Sequence, residues 1–197
     1  MERAATITRK TQETDIRLSL VLDGSGHYEI GTGIGFLDHM LSLLAKHGLF
    51  DLVVEAAGDL GVDFHHTVED VGLCLGQAIR QSVGDKAGIR RFGFFLLPMQ
   101  EALAEVALDL SGRPHLSFDG DLPREKVGEF DAELVPEFFT AVANAAQMTL
   151  HVEIRRGRNA HHVIEAVFKG FAKALDQATS LDPRTSAIPS TKGVLAE

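Results

Sequence analysis

Apolar and polar positions along the chain change period several times, and each change marks an element. Ile16, Leu18, Leu20 and Leu22 alternate with Asp15, Arg17, Ser19 and Val21, a period of two with one lapse; with the run before it, this predicts strands over 4–10 and 14–22. Asp23-Gly24-Ser25-Gly26 follows as a turn. After a glycine-rich loop, Gly31-Thr32-Gly33-Ile34-Gly35, the period lengthens. Phe36, Leu37, Met40, Leu41 and Leu44 take helical spacing over 36–46, and Gly48 stops the helix. A strand over 50–57, a Gly/Asp loop and a helix ending near Val83 complete this stretch, and Gly84-Asp85-Lys86-Ala87-Gly88 reads as a linker.

The order then repeats. Strands are expected over 92–97, 101–110 and 115–118, a helix over 133–145, a strand over 148–154 and a helix over 160–178. Asp109-Leu110-Ser111-Gly112 echoes the turn at Asp23, and Phe36-Leu37-Asp38-His39-Met40-Leu41 falls against Leu134-Val135-Pro136-Glu137-Phe138-Phe139. The sharpest echo is Asp63-Phe64-His65-His66-Thr67-Val68-Glu69-Asp70, answered ninety-six residues later by Asn159-Ala160-His161-His162-Val163-Ile164-Glu165-Ala166. The reading is a tandem duplication of an α+β half-domain, over 1–87 and 88–181, followed by a tail over 182–197 with no clear element. Each half is expected to be a small, mostly antiparallel sheet with two helices on one face. Two fused copies pack about a pseudo-twofold axis, which draws equivalent helix starts toward a shared site.

Composition narrows the function classes. A chain of 197 residues, 45% hydrophobic and 24% charged, is ordinary for a globular protein with a real core. A net charge of −9 excludes a nucleic-acid surface but leaves room for a local anion pocket. The single cysteine, Cys74, lies among Leu73, Leu75 and Ile79 and reads as a buried apolar thiol. The N-terminus lacks the apolar stretch of a signal peptide, and no window approaches the roughly 18 apolar residues of a membrane span, so a cytoplasmic location without membrane contact is expected.

The paired histidines carry the chemistry. On a helix His65 and Glu69 are i and i+4, and His66 and Glu69 are i and i+3, so each imidazole can share a face with the carboxylate. Adjacent histidines project about 100° apart on a regular helix. They therefore suit two ions, one imidazole to each, better than one ion gripped by both. His39 on the preceding helix is the natural extra ligand, and Glu137 is its counterpart in the repeat. Nitrogen and oxygen donors without a thiolate suit Mn, Fe, Ni or Zn. Asp38 and Asp70 are expected to orient imidazoles as outer acceptors. His27, His115 and His151 show no such pattern; His47 fits either a helix C-terminus favoured by the dipole or a place facing the site. Arg90-Arg91, Arg113 after Ser111-Gly112, and Pro189-Ser190-Thr191-Lys192-Gly193 offer the guanidinium, ammonium and hydroxyl groups of a phosphate cradle, while Arg155 and Arg156 read as solvated surface. No nucleotide fingerprint is present, and the Gly31–Gly35 loop reads as a mobile approach to the helix.

These motifs, in this order, resemble the imidazoleglycerol-phosphate dehydratases of histidine biosynthesis. The resemblance runs nearly end to end, through Thr11-Gln12-Glu13-Thr14, His47-Gly48-Leu49-Phe50-Asp51, Arg91-Phe92-Gly93, Thr149-Leu150-His151 and the Pro189–Leu195 tail as well as the segments above. It implies a hydro-lyase with two Mn2+ per subunit, converting D-erythro-imidazole-glycerol phosphate to imidazole-acetol phosphate and water through a di-manganese-bound imidazolate. It also implies a 24-subunit homo-oligomer with sites at subunit contacts. Carried over by motif, the metal ligands are His39, His65, His66, Glu69, His161, His162 and Glu165, with Glu137 standing where many members have a ligating histidine. Glu13, His66, Glu69, His162 and Glu165 are the catalytic set, with Glu13 the candidate general acid/base. Substrate contacts fall to Glu13, His39, His47 and Lys169, and its phosphate to Arg91, Arg113, Ser190, Thr191 and Lys192. Gln100 also departs from the family pattern, where Asp is common. The proton to be removed lies on a carbon with no adjacent carbonyl, so the imidazole ring is the electron sink, and flanking cations stabilise its negative charge. Two other readings remain open from the residues alone: a binuclear metallohydrolase acting on a phosphorylated metabolite, and a non-catalytic metal-binding protein.

Overall fold

The computed structural model describes residues 3–195; Met1, Glu2, Ala196 and Glu197, at the outer ends of the first half and of the tail, lie outside the described residues. The first half runs β1 (Ala4–Lys10), β2 (Thr14–Val21), β3 (Tyr28–Gly31), α1 (Gly35–Gly48), β4 (Asp51–Gly58) and α2 (His65–Val83). The second runs β5 (Phe92–Met99), β6 (Ala102–Asp109), β7 (His115–Gly120), α3 (Leu134–Ala146), β8 (Thr149–Arg156) and α4 (Ala160–Thr179). The two sheets have matching orders, β1-β2-β4-β3 and β5-β6-β8-β7. In each, the two hairpin strands and the next are antiparallel and the last pair is parallel. Both parallel pairs are bridged by a helix, as a parallel crossover requires. This is the duplicated, mostly antiparallel α+β architecture that the repeat in the sequence predicts. The four-residue β3 is an addition to that expectation: Tyr28, Glu29 and Gly31 are exposed and give no alternation to read.

Period-two burial builds the sheets. Thr14, Ile16, Leu18 and Leu20 point inward from β2, and Ala102, Ala104, Val106 and Leu108 do so from β6. The helices end alike: α1 stops at Leu49 and α3 at Gln147, both left-handed with φ of 58° and 52°, and each terminal N–H turns back onto a carbonyl of the last turn.

The inner faces of the sheets meet a layer of helices, and that layer joins the halves. α2 covers β1 and β2, α4 covers β5 and β6, and between the halves α1 packs on α4 while α3 packs on α2. One continuous apolar core runs through both halves. Phe138 and Phe139 of α3 stack with Phe168 and Phe171 of α4 at ring separations of 4.9–5.3 Å. Burying each ring contributes about 1.5–3 kcal/mol before the ring–ring term. Among the described residues no helix is long and apolar enough to cross a membrane.

Candidate metal and substrate site

Because α1 crosses α4, side chains from different halves converge. Glu165 lies one turn beyond His161 on α4, and its Oε2 is 3.1 Å from His161 Nε2 and 3.8 Å from Nε2 of His39 on α1. One ligand atom from each of His39, His161 and Glu165 lies within 4.8 Å of the others, and among the described residues no other three His, Cys, Asp or Glu groups meet so closely. Glu165 is buried and His39 exposed, so the trio opens outward.

The surroundings set its charge. Burial alone pushes the Glu165 carboxyl up, but Lys169, His161 and His39 outweigh it and hold it below the usual carboxylate range. Lys169, a turn further along α4, pairs with Glu165 and also reaches the Met99 sulfur at 3.8 Å. His47 faces the same corner: burial first, then the Lys169 and Lys173 ammoniums, keep its imidazole below its ordinary value, with Glu165 opposing. His47 also sits in the last turn of α1, as the helix C-terminus reading expects, so neither reading of it displaces the other.

The adjacent histidines diverge as helix geometry requires. The ring planes stand at 89° for His65 and His66 and at 77° for His161 and His162, with centroids 6.3 Å apart in both pairs. His161 enters the trio while His162 turns to Glu101, whose Oε2 lies 2.7 Å from Nδ1. His66 turns to Asp59, with 3.0 Å from Nδ1 to Oδ2, and its Nε2 faces Glu13 Oε1 at 3.8 Å. The Asp59 bond, with Glu13 and Asp63 nearby, raises the His66 pKa against the smaller effect of burial.

Three expectations need correction. Asp38 meets no imidazole: it accepts the Thr32 N–H at 2.9 Å and the Thr32 hydroxyl at 2.5 Å. The glycine loop is therefore pinned to α1 through a fully buried Thr32, not a mobile approach. Asp70 accepts from Arg9 Nε at 2.8 Å and the Thr14 hydroxyl at 2.5 Å, tying α2 to the β1–β2 hairpin. The acceptors that do hold imidazoles, Asp59 and Glu101, sit on turns, outside the helical spacing that suggested Asp38 and Asp70.

The remaining predicted residues divide. Among the described residues, His65, Glu69 and Glu137, the counterparts of His161, Glu165 and His39, do not form a second close trio, and Glu69 and Glu137 are exposed. Arg91, at φ 74°, is clamped by Asp109 at 2.7 and 3.0 Å and donates from Nη1 to the Pro189 carbonyl at 2.9 Å, joining β5 to the tail. There Ser190 organises a turn: its Oγ accepts the Lys192 N–H at 3.2 Å and its carbonyl accepts the Gly193 N–H at 3.0 Å. Arg113 follows Ser111, whose Oγ accepts its N–H at 3.2 Å, and its side chain is exposed, as are Thr191 and Lys192.

Two clefts flank the trio, one of about 680 Å³ lined by Glu101, Lys126, Asn159, His161 and His162, the other of about 420 Å³ lined by Gly33, Phe36, His39 and Phe130. Val127 and Gly128 line both. Phe36 lies 5.2 Å from the rings of both Phe130 and His161, so the segment before α3 forms a wall of the site that no periodic pattern announced.

Comparisons with known proteins show the family. The profile of imidazoleglycerol-phosphate dehydratase matches residues 32–175. The chain belongs to the imidazoleglycerol-phosphate dehydratase family. Dehydratases of that name from Geobacillus sp. (strain WCH70) and Acetivibrio thermocellus are 57% and 60% identical over 195 residues, covering 99% of this chain and all of theirs. The crystal structure of the imidazoleglycerol-phosphate dehydratase from Staphylococcus aureus superposes with a TM-score of 0.83 at 42% identity, covering 91% of this chain and 99% of that one. The Pyrococcus furiosus enzyme gives 0.83 at 36% identity, over 96% and 100%. The chain is thus a hydro-lyase, an imidazoleglycerol-phosphate dehydratase of histidine biosynthesis.

Proposed function

We propose that this dehydratase works with two Mn2+ ions and takes D-erythro-imidazole-glycerol phosphate to imidazole-acetol phosphate at a site completed by neighbouring subunits. The observation that carries the metal reading is the convergence of His39, His161 and Glu165. Two imidazoles and a carboxylate form a nitrogen and oxygen donor set that fits Mn2+, and three protein ligands leave positions open. His65, Glu69 and Glu137, the equivalent residues of the other repeat, would hold the second ion, closed by His66 and His162 of neighbouring copies in a 24-subunit assembly. When bound, the ions supply Lewis-acid stabilisation to the substrate ring as charge builds on it.

The chain's own groups do the rest. Glu13, facing the same side as His66 Nε2, moves the proton at the glycerol carbon or orients the hydroxyl that leaves. Lys169 keeps Glu165 ionised, and His47 beside it, held toward its neutral form, offers a hydrogen bond to a substrate hydroxyl. The exposed Arg113 and Lys192, the Ser190 and Thr191 hydroxyls, and Arg91, which fixes the tail, form the phosphate cradle. Water is excluded on one side by Phe36 and Phe130.

One assay tests the proposal. Mn2+-loaded protein, incubated with imidazole-glycerol phosphate, is expected to yield the ketone without releasing phosphate, and His161→Ala to lose both ketone formation and bound metal. Release of phosphate would favour a hydrolase; bound metal with no ketone would favour a storage role. Sedimentation of the purified chain checks the 24-subunit assembly.

A further inference from the structure

Glu13 and Glu101 occupy the same place in the two repeats. Each immediately precedes the second strand of its hairpin, β2 from Thr14 and β6 from Ala102. Each also reaches the second histidine of its own half, but on different nitrogens: Glu13 faces Nε2 of His66 at 3.8 Å, whereas Glu101 bonds Nδ1 of His162 at 2.7 Å. The reason lies in the residue just after β4 in the first half and just after β8 in the second. Gly58 of β4 is succeeded by Asp59, which occupies the His66 Nδ1 at 3.0 Å. Arg156 of β8 is succeeded by Gly157, and a Cβ there would lie 2.2 Å from Val163 Cγ2 and 3.1 Å from Ala102 Cβ. No carboxylate fits at that position, so Nδ1 of His162 has to be met from elsewhere.

We infer that Glu101 is a positioning residue for His162. A carboxylate only accepts hydrogen bonds, so the nitrogen facing it carries the proton, and the Nε2 lone pair of His162 is left free for an ion. Glu101 is itself held in place by the Arg158 and Asn159 N–H groups, at 3.2 and 2.9 Å to its Oε1, which also fix the chain as it enters α4. Glu101 therefore does in the second half what Asp59 does in the first. Of the two turn glutamates only Glu13 is left to meet substrate, which gives a duplicated chain a single acid/base of this kind.

This inference rests on the metal reading above, and the test separates the two. Glu101→Gln keeps an oxygen for the Arg158 and Asn159 N–H groups but presents an NH2 to Nδ1, which drives the imidazole proton onto Nε2. Full-length protein is titrated with Mn2+ alone in competition with a chelator, and its folding is checked by thermal melting. Glu101→Gln is expected to weaken one of the two ions about 10–100-fold with the melting temperature unchanged. In a His162→Ala background the same change is expected to make no further difference. Wild-type affinity in Glu101→Gln, or equal weakening with His162 already removed, would overturn the inference while leaving the metal reading intact. A wild-type protein that binds no Mn2+ would overturn both.

Discussion

Glu165 is a carboxylate whose neighbours decide its charge, and pH exposes that balance. Its folded pKa lies below the ordinary value near 4.5 because Lys169, His161 and His39 outweigh burial. A depressed carboxylate contributes stability that is present above the unfolded pKa and lost as pH falls through the folded one. In metal-free protein, urea midpoints are therefore expected to show no loss from this group between pH 7 and about pH 4.5 and to fall on further acidification. Lys169→Met is expected to lower the midpoint at neutral pH and flatten that fall; a parallel pH profile would show that Lys169 does not govern the carboxyl. Glu13→Gln tests the proposed proton transfer: kcat is expected to drop about 10²–10⁴-fold with little change in KM. At this scale the sequence shows the His-rich cluster well and its supports badly. The His-His-x-x-Glu spacing is local, so it can be read directly. Asp59 and Glu101 reach their imidazoles from turns, and for Glu101 the contact spans 61 residues, which no periodicity encodes.

Elements were legible wherever one face is buried. The β2 and β6 alternations and the helical spacing of α1 follow from inward-pointing positions, whereas β3 exposes most of its few side chains and pairs only through its backbone. Helix contacts were not legible, because they depend on small residues in the right register. On α2, a Cβ at Gly76 would lie 2.5 Å from the Val142 carbonyl oxygen and 2.7 Å from Ala145 Cβ on α3. In an exposed helix Gly→Ala stabilises by about 0.8–1 kcal/mol. Here the obstacle is backbone, and overpacking at about 1–3 kcal/mol outweighs the gain in propensity. Gly76→Ala is expected to lower the denaturation midpoint at constant m-value; a rise would mean that α3 yields easily.

Across the whole molecule, the duplication and the fold class could be read from the repeated order of elements, but the way the halves join could not, because nothing in the sequence says which helix meets which. The tail shows the same divide: its hydroxyls and Lys192 suggest a phosphate site, while its anchor, the bond from Arg91 to the Pro189 carbonyl, spans 98 residues. Deleting residues 188–197 is expected to raise KM at least about 10-fold, the loss of one charge-assisted hydrogen bond at about 1.5–3 kcal/mol, with a smaller effect on kcat. Unchanged KM would remove the tail from the phosphate site.

The packing of α1 on α4 means that neither repeat could assemble the His39, His161 and Glu165 cluster by itself. A half-length ancestor would have had to pair with a copy of itself, and that pair would have owned two identical centres, altered together by every mutation. Within one chain the equivalent positions are free to differ, as Glu137 opposite His39 and Gly157 opposite Asp59 do.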